Sequence, residues 1–349
     1  MSIAADLLGL CPHQGRRTIS ITCPVCAKGR EKKLNINFEK NVFRCAKCGV
    51  HGGVLDFWAL YRGTGADLRK AAKDYYSLAG TLPCPQKPRI CPKTPECDLA
   101  GITVRNEAYT ALTANLGLSE AHRKNLLARG LSDSEIERRG YRSYPVKERK
   151  RIASDLERKG YDLKGIPGFY MSGGGMDMLP LSSGILIPQR DGVLGPDGLG
   201  RIRGFQVRLD KGKTRYVSFS TGGNYPQGTK GKAYLHVSFG EKGYEKVIFT
   251  EGPLKGDIIS YFTGYTVIAL QGVNSQLEVP SVLLKLKERG CRLIYTAFDM
   301  DLEKNVYVRS ALKELERKIE EAEIARSRLI WDPEYKGLDD WLNAKYNGS

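Results

Sequence analysis

Two groups of residues in this chain have the types and spacing to do chemistry. The first is four cysteines in two pairs, Cys23-Pro-Val-Cys26 and Cys45-Ala-Lys-Cys48, with 18 residues between the pairs. Each pair makes a tight knuckle that offers two thiolates, and four thiolates complete the tetrahedron that zinc takes in structural sites. Structural Zn2+ is therefore expected at Cys23, Cys26, Cys45 and Cys48. A redox role is disfavoured because neither pair opens a βαβ unit. Cys11, His13 and His51 are spare donors nearby and read as non-ligands. The second group is acidic. Glu251 closes the run KVIFTEG (246–252), and Asp299 and Asp301 close RLIYTAFDMD (292–301). Asp340 follows in KGLDDWL (336–342). Carboxylates gathered without histidine suit a hard cation, Mg2+ or Mn2+, that works with substrate phosphates.

The elements that must hold these groups can be read from hydrophobic period. KVIFTEG, YTVIAL (265–270) and RLIYTAFDMD are short β-rich runs separated by helical-period stretches, and SRLIWD (327–332) reads as a further strand. That alternation predicts a parallel sheet with crossover helices, whose ligands bind beyond the carboxyl ends of the strands. Alternate residues on a strand point the same way, so Asp299 and Asp301 can face one rim beside Glu251. Between the cysteine pairs, LNINF and NVFRC alternate like a hairpin, giving a zinc ribbon, and Val54–Tyr61 starts a helix against it. A short helix is expected over 65–80. The segment 81–97, TLPCPQKPRICPKTPEC, reads as a Pro/Lys-rich linker carrying Cys84, Cys91 and Cys97 as free thiols. Residues 98–160 are mostly helical, with Ser132 or Asp133 as a cap. Residues 161–183 are loop-like. The run SGGG at 172–175 lacks the Gly-Lys-Ser/Thr of a phosphate loop and reads as flexible. Residues 184–219 read as a β-meander. The predicted fold is a multidomain α/β chain: a zinc-ribbon domain (1–80), the linker (81–97), a helical basic region (98–183), a basic α+β subdomain (184–243) and a C-terminal parallel α/β sheet (244–349).

The chain has 349 residues and a formal net charge of +16. Residues 1–80 hold 13 basic and 6 acidic residues, residues 81–245 hold 27 and 17, and residues 246–349 hold 15 and 16. The excess thus lies upstream of the acidic site, as suits a polyanion-binding platform placed ahead of a metal centre. Arg201, Arg203, Arg208, Lys213, Arg215, Lys230 and Lys232, with Lys255, are the candidate nucleic-acid contacts, since guanidinium and ammonium groups both suit phosphates. Phe38, Phe43 and Trp58 could stack bases, but Phe43 and Trp58 suit the core of so small a domain better. No run of about 18 apolar residues exists, so no membrane span is expected. Met1–Leu10 is too short and lacks a basic stretch, so no signal peptide is read. Nine cysteines without a secretory signal suggest a reducing, cytoplasmic compartment.

These motifs carry a resemblance. Glu-Gly after one strand and Asp-x-Asp after a later one, with the acidic tail at 336–342, resemble the TOPRIM domain of bacterial-type primases, type IA and II topoisomerases and some nucleases. FRCAKCGVHGGVLDFWALYRG (43–63), after Cys-Pro-x-Cys, is similar to the N-terminal zinc-binding domain of those primases. That family usually has histidine as second ligand, where this chain has Cys26. Gly204, Phe205 and Arg208, then Arg215 and Tyr216, resemble phrases of the primase polymerase core. RGLSDSEIERRGY (129–141) resembles a helical module of phage and mobile-element primases. The resemblance implies a primase making short RNA primers from NTPs on a single-stranded DNA template, by two-metal transfer at Glu251, Asp299 and Asp301, beside a separate replicative helicase. Lys255 stands where cellular primases carry an acid, Asp257 comes two residues later, and no helicase-binding domain or Walker A motif follows. Two alternatives use the same parts: a magnesium-dependent TOPRIM nuclease, and a non-catalytic zinc-ribbon protein that binds single-stranded DNA.

Overall fold

The structure, a computed structural model, describes residues 1–10, 18–26, 31–63, 67–79, 97–194, 198–212, 214–223, 225–271, 273–299 and 306–347. Cys11, His13, linker residues 81–96 with Cys84 and Cys91, Lys213 and Asp301 lie outside the described residues. The chain forms two compact units, one built on residues 1–92 and the other on residues 93–302 and 311–349.

The first unit holds α1 (Ser2–Leu7), β1 (Thr18–Ile21), β2 (Leu34–Asn37), β3 (Val42–Cys45), β4 (His51–Gly52), α2 (Val54–Arg62) and α3 (Leu68–Ala79). The strands make an antiparallel sheet in sequence order. Alternation on β2 and β3 turns Leu34, Ile36 and Phe43 inward, where Phe57 and Trp58 of α2 and Tyr75 of α3 close the core. Phe43 and Trp58 are 2% and 1% exposed, so both are core residues and not stacking platforms. The Trp58 indole N–H donates to Asp74 (2.8 Å), which also takes the Arg62 Nε–H (3.1 Å).

The second unit opens with α4 (Ile102–Ala114), α5 (Glu120–Leu127), α6 (Asp133–Arg139), β5 (Arg142–Ser143) and α7 (Arg149–Arg158). Ser132 caps α6 by accepting the Glu135 N–H. Next come β6 (Phe169–Ser172) and β7 (Gly175–Met178), a hairpin where the sequence suggested a flexible loop. Gly173 and Gly174 form its two-residue turn with φ of 58° and 84°. Positive φ at both central residues is the primed turn that matches strand twist, so the glycines serve geometry. The expected meander is present as β8 (Gly184–Leu194), β9 (Gly200–Leu209) and β10 (Tyr216–Ser218), in an antiparallel sheet of order β10-β9-β8-β5.

The C-terminal sheet holds β11 (His236–Ser238), β12 (Lys246–Glu251), β13 (Thr266–Leu270), β14 (Leu293–Ala297) and β15 (Ala325–Arg328). Helices α8 (Pro253–Thr263), α9 (Val279–Glu288) and α10 (Val306–Glu321) connect its strands, and α11 (Leu338–Asn347) follows. The order is β11-β13-β12-β14-β15, parallel except for β11. The last strand lies earlier than SRLIWD suggested. Leu329 still donates to the Thr296 carbonyl (3.0 Å), after which Trp331 is buried in the core. Its apolar character therefore comes from packing beyond the sheet.

One buried polar network ties the helical segment to the C-terminal sheet. Asp257 on α8 is ion-paired with Arg139 of α6 and accepts from Tyr141 Oη (2.5 Å). The Arg190 N–H donates to His236 Nδ1 (3.0 Å), so Nε2 carries the proton and donates to Asp257 (3.0 Å). Burial alone would raise the Asp257 pKa, but Arg139 and His236 outweigh it and hold the carboxyl well below the usual range. Asp257 is thus fully committed inside the fold. It does not replace the acid that Lys255 displaces.

Candidate functional site

In the first unit, the Sγ atoms of Cys23, Cys26, Cys45 and Cys48 lie within 4.8 Å of one another. Cys23–Cys48 and Cys26–Cys45 are 3.7 and 3.6 Å apart. A tetrahedron with Zn–S bonds of about 2.3 Å has S···S edges of about 3.8 Å, so the four sulfurs fit zinc. Burial pushes the Cys45 thiol up, but the N–H groups of Cys48 and Lys47 outweigh it and bring its pKa down to about 7. His51 lies outside the cluster, with Nδ1 3.0 Å from the Gly49 carbonyl.

The acids of the second unit meet at the carboxyl ends of adjacent parallel strands, because β12 pairs directly with β14. Glu251 is the last residue of β12. Gly252 follows with φ 84°, a conformation glycine adopts without strain, and Pro253 then starts α8. This is the physical content of the Glu-Gly pair: the chain turns sharply and leaves the carboxylate at the rim. Asp299, two residues beyond β14, is 8% exposed, and its N–H donates to Glu251 Oε1 (3.4 Å). Glu251, Asp299, Asp339 and Asp340 line one cleft of about 500 Å³.

The tail acid buried here is Asp339, at 2% exposure, while Asp340 is exposed at the rim. Among the described residues, Asp339 Oδ1 is buried without a hydrogen-bond partner. A Cβ at Gly337 would crowd this oxygen and lie 3.3 Å from Lys255 Nζ and 3.4 Å from Asp299 Oδ1. Glycine at 337 therefore leaves open a small space bordered by two carboxylates and an ammonium. Burial raises the Asp339 pKa, and Lys255 opposes it. An orphaned buried carboxylate oxygen facing such a space fits a divalent cation, with Glu251, Asp299 and Asp339 as donors.

Lys255, expected among the nucleic-acid contacts, lies among these acids instead. It is ion-paired with Asp299, while Lys336 Nζ is 3.5 Å from the other Asp299 oxygen. Burial works against the Lys255 charge, but Asp339 and Asp299 outweigh it and raise its pKa.

The basic candidates divide. Arg208 donates to Asn125 (3.2 Å), and its pKa is lowered by burial and then by Arg129. Arg215, which lowers it further, is exposed. Arg129 lines the acid cleft with Gln206 and Tyr216, and among the described residues Gln206 Oε1 is buried without a hydrogen-bond partner. Arg129 also lies 3.8 Å from Asp339 Oδ2, so this positive flank is tied to the acid cleft at one edge and open to an anion at Arg208 and Arg215. Arg201 and Arg203 line a different groove, of about 530 Å³. Arg201 is paired with Asp191 (2.7 Å) and Arg203 with Glu278 (2.6 Å), and the Arg203 guanidinium sits 4.2 Å over the Tyr234 ring. The β8–β9 pairing also shifts register here: Gln189 opposes Gly204 but Arg190 opposes Ile202. The extra residue on β9 reverses its inside–outside parity, so Ile202 shares the core with Phe205 and Val207. Lys230 and Lys232 are exposed on the chain between β10 and β11. Sequence reasoning missed Arg129, Gln206, Lys336 and Asp339.

Residues 243–348 match a domain family of unknown function, DUF3854. A search of curated proteins finds no match. Among solved structures, the chain is similar to the zinc-binding and RNA polymerase domains of the Aquifex aeolicus primase. That likeness has 16% identity and a TM-score of 0.51, over 99% of this chain and 80% of that one. It is also similar to the RNA polymerase domain of the Mycobacterium tuberculosis primase DnaG, at 16% identity and TM-score 0.50, over 70% of this chain and 80% of that one. The fold is thus a mixed α/β fold resembling bacterial primase domains, with a four-cysteine cluster near its N-terminus.

Proposed function

We propose that this chain is a DNA primase that joins NTPs into short RNA primers on single-stranded DNA. One observation carries the reading. In a fold like that of primase domains, Glu251, Asp299 and Asp339 converge at the ends of adjacent parallel strands, next to the Arg129, Arg208 and Arg215 cluster. Nucleotidyl transfer to a triphosphate needs both a cation site and a basic track for the backbone.

In this reading the C-terminal sheet is a TOPRIM domain. Glu251, Asp299 and Asp339 hold Mg2+ or Mn2+, and Asp301 joins them from outside the described residues. The bound ion would stabilise the charge that develops on the triphosphate. Arg129, Arg208 and Arg215 bind the phosphates of template and primer. Gln206 Oε1 accepts from a substrate hydroxyl or amino group. The cysteine cluster holds zinc and keeps the first unit folded to engage template. A phage or mobile-element setting, with a separate helicase, agrees with the resemblance of the helical segment.

The test is incubation of the zinc-loaded protein with labelled NTPs and single-stranded DNA across a magnesium titration. Short RNA products that vanish in Asp299→Asn support the proposal. Magnesium-dependent nicking without synthesis would make the chain a nuclease instead, and binding without either reaction would make it a non-catalytic binding protein.

A further inference from the structure

The position of Lys255 bears on how many divalent ions the acid cleft takes. Paired catalytic ions lie about 3.5–4 Å apart, and a carboxylate that bridges them gives one oxygen to each. Asp299 is the central candidate for that role, being 8% exposed and at the end of the strand beside Glu251. Neither of its oxygens is uncommitted. Oδ1 is ion-paired with Lys255 and Oδ2 faces Lys336 at 3.5 Å.

The two lysines differ in how easily they yield. The Lys336 side chain is 62% exposed and can swing into water, which frees Oδ2. Lys255 is 23% exposed and sits in the first turn of α8. A cation there opposes the helix dipole, so local structure alone does not favour it. What holds it is geometry: its ammonium is ion-paired with Asp299 and lies against the Gly337 space that Asp339 Oδ1 also borders. Lys255 therefore keeps Oδ1, and Asp299 presents one oxygen to a metal. The second, independent feature is the orphaned Asp339 Oδ1, which borders the space left by Gly337. It is a second carboxylate oxygen of the cleft that a cation could engage.

We infer that Lys255 takes the place of one of the two cations of the cleft, so that this site binds a single divalent ion, Mg2+ or Mn2+, beside a fixed ammonium group. The inference rests on the metal-dependent transfer proposed above and specifies its ion count.

The experiment counts Mn2+ bound to the nucleotide-free, zinc-loaded full chain, following the free-ion signal by electron paramagnetic resonance. Asp339→Asn defines the background from surface acids. Wild type is expected to bind one Mn2+ above that background. Lys255→Met, which frees Asp299 Oδ1, is expected to bind two, and Lys255→Arg one. A wild-type excess of two, or of none, overturns the inference, as does a folded Lys255→Met that stays at one with unchanged affinity. Should Lys255→Met not fold, the wild-type and Lys255→Arg counts still decide. Primer synthesis is assayed on the same preparations. A chain that makes primers with two ions refutes only the ion count, and one that binds a single ion without making primers refutes only the primase reading.

Discussion

Asp339 and Asp340 are adjacent in sequence and differ in nearly everything else. Asp339 is buried beside Lys255 with one oxygen unpaired, and Asp340 is exposed. Asp339→Asn is therefore expected to cut labelled-NTP incorporation by about a hundredfold or more, the scale of losing a fixed electrostatic group at a reacting centre. Asp340→Asn should stay within a few-fold of wild type in the same assay, and the reverse order of effects would place the metal donors wrongly. Helical period held a clue. Leu338 and Leu342 mark the buried stripe of α11, and at 100° per residue Asp339 lies nearer to it than Asp340 does. Asp257 makes a different prediction. Losing one partner of a buried ion pair costs about 3–5 kcal/mol, so Asp257→Asn should unfold at much lower urea than wild type at pH 6. The Asp257 pKa is depressed in the folded chain, so its stabilisation is complete above the unfolded value near 4 and is lost as pH falls below it. The urea gap between wild type and Asp257→Asn should narrow from pH 6 to pH 3; a constant gap would mean that the carboxylate charge contributes nothing.

β9 shows how local partners sort charges along one strand. Read from sequence, Arg201, Arg203 and Arg208 belong to one set of nucleic-acid contacts. Asp191 and Glu278 neutralise the first two, while a register shift between Ile202 and Gly204 carries Ile202 into the core beside Phe205. Each phosphate contact on a single strand contributes a log–log salt slope of roughly −0.7. Replacing Arg208 and Arg215 by alanine together should flatten the salt dependence of single-stranded DNA binding by one to two such units. Replacing Arg201 and Arg203 should leave the slope unchanged. Equal slopes for both pairs would remove the basic flank from the nucleic-acid path. No single-strand pattern could reveal the shift, since register belongs to two strands and the β8 partner lies a loop away. Likewise Gly173 and Gly174 read as slack until the flanking strands pair around them. β12 and β13 were plain because a strand buried on both faces writes a continuous apolar run, whereas the exposed edge strand β15 wrote none. The Glu-Gly turn was plain because its backbone conformation demands glycine.

At the scale of the whole molecule, two units depend on different sources of stability. The first has a small core around Phe43, Phe57 and Trp58, and a cysteine cluster at its sheet. Binding of zinc by four thiolates is coupled to folding in such domains. Cys45→Ser should abolish zinc retention and collapse hydrogen-exchange protection in residues 18–79, leaving protection in β12–β14 intact. Full zinc content in that variant would place the ion elsewhere. The cysteine spacing made this unit legible, whereas the ion pairs of the second unit join residues too far apart for any local pattern to register. The same distance sets an order of events during synthesis. Arg139 and Asp257 are 118 positions apart. At about 5–20 residues per second, Arg139 and Tyr141 emerge from the ribosome roughly 6–24 s before the carboxylate that neutralises one and accepts from the other. Until then the guanidinium has Glu135 of its own helix as its ion-pair partner, so this face of α6 must wait, solvated, for the C-terminal sheet to arrive.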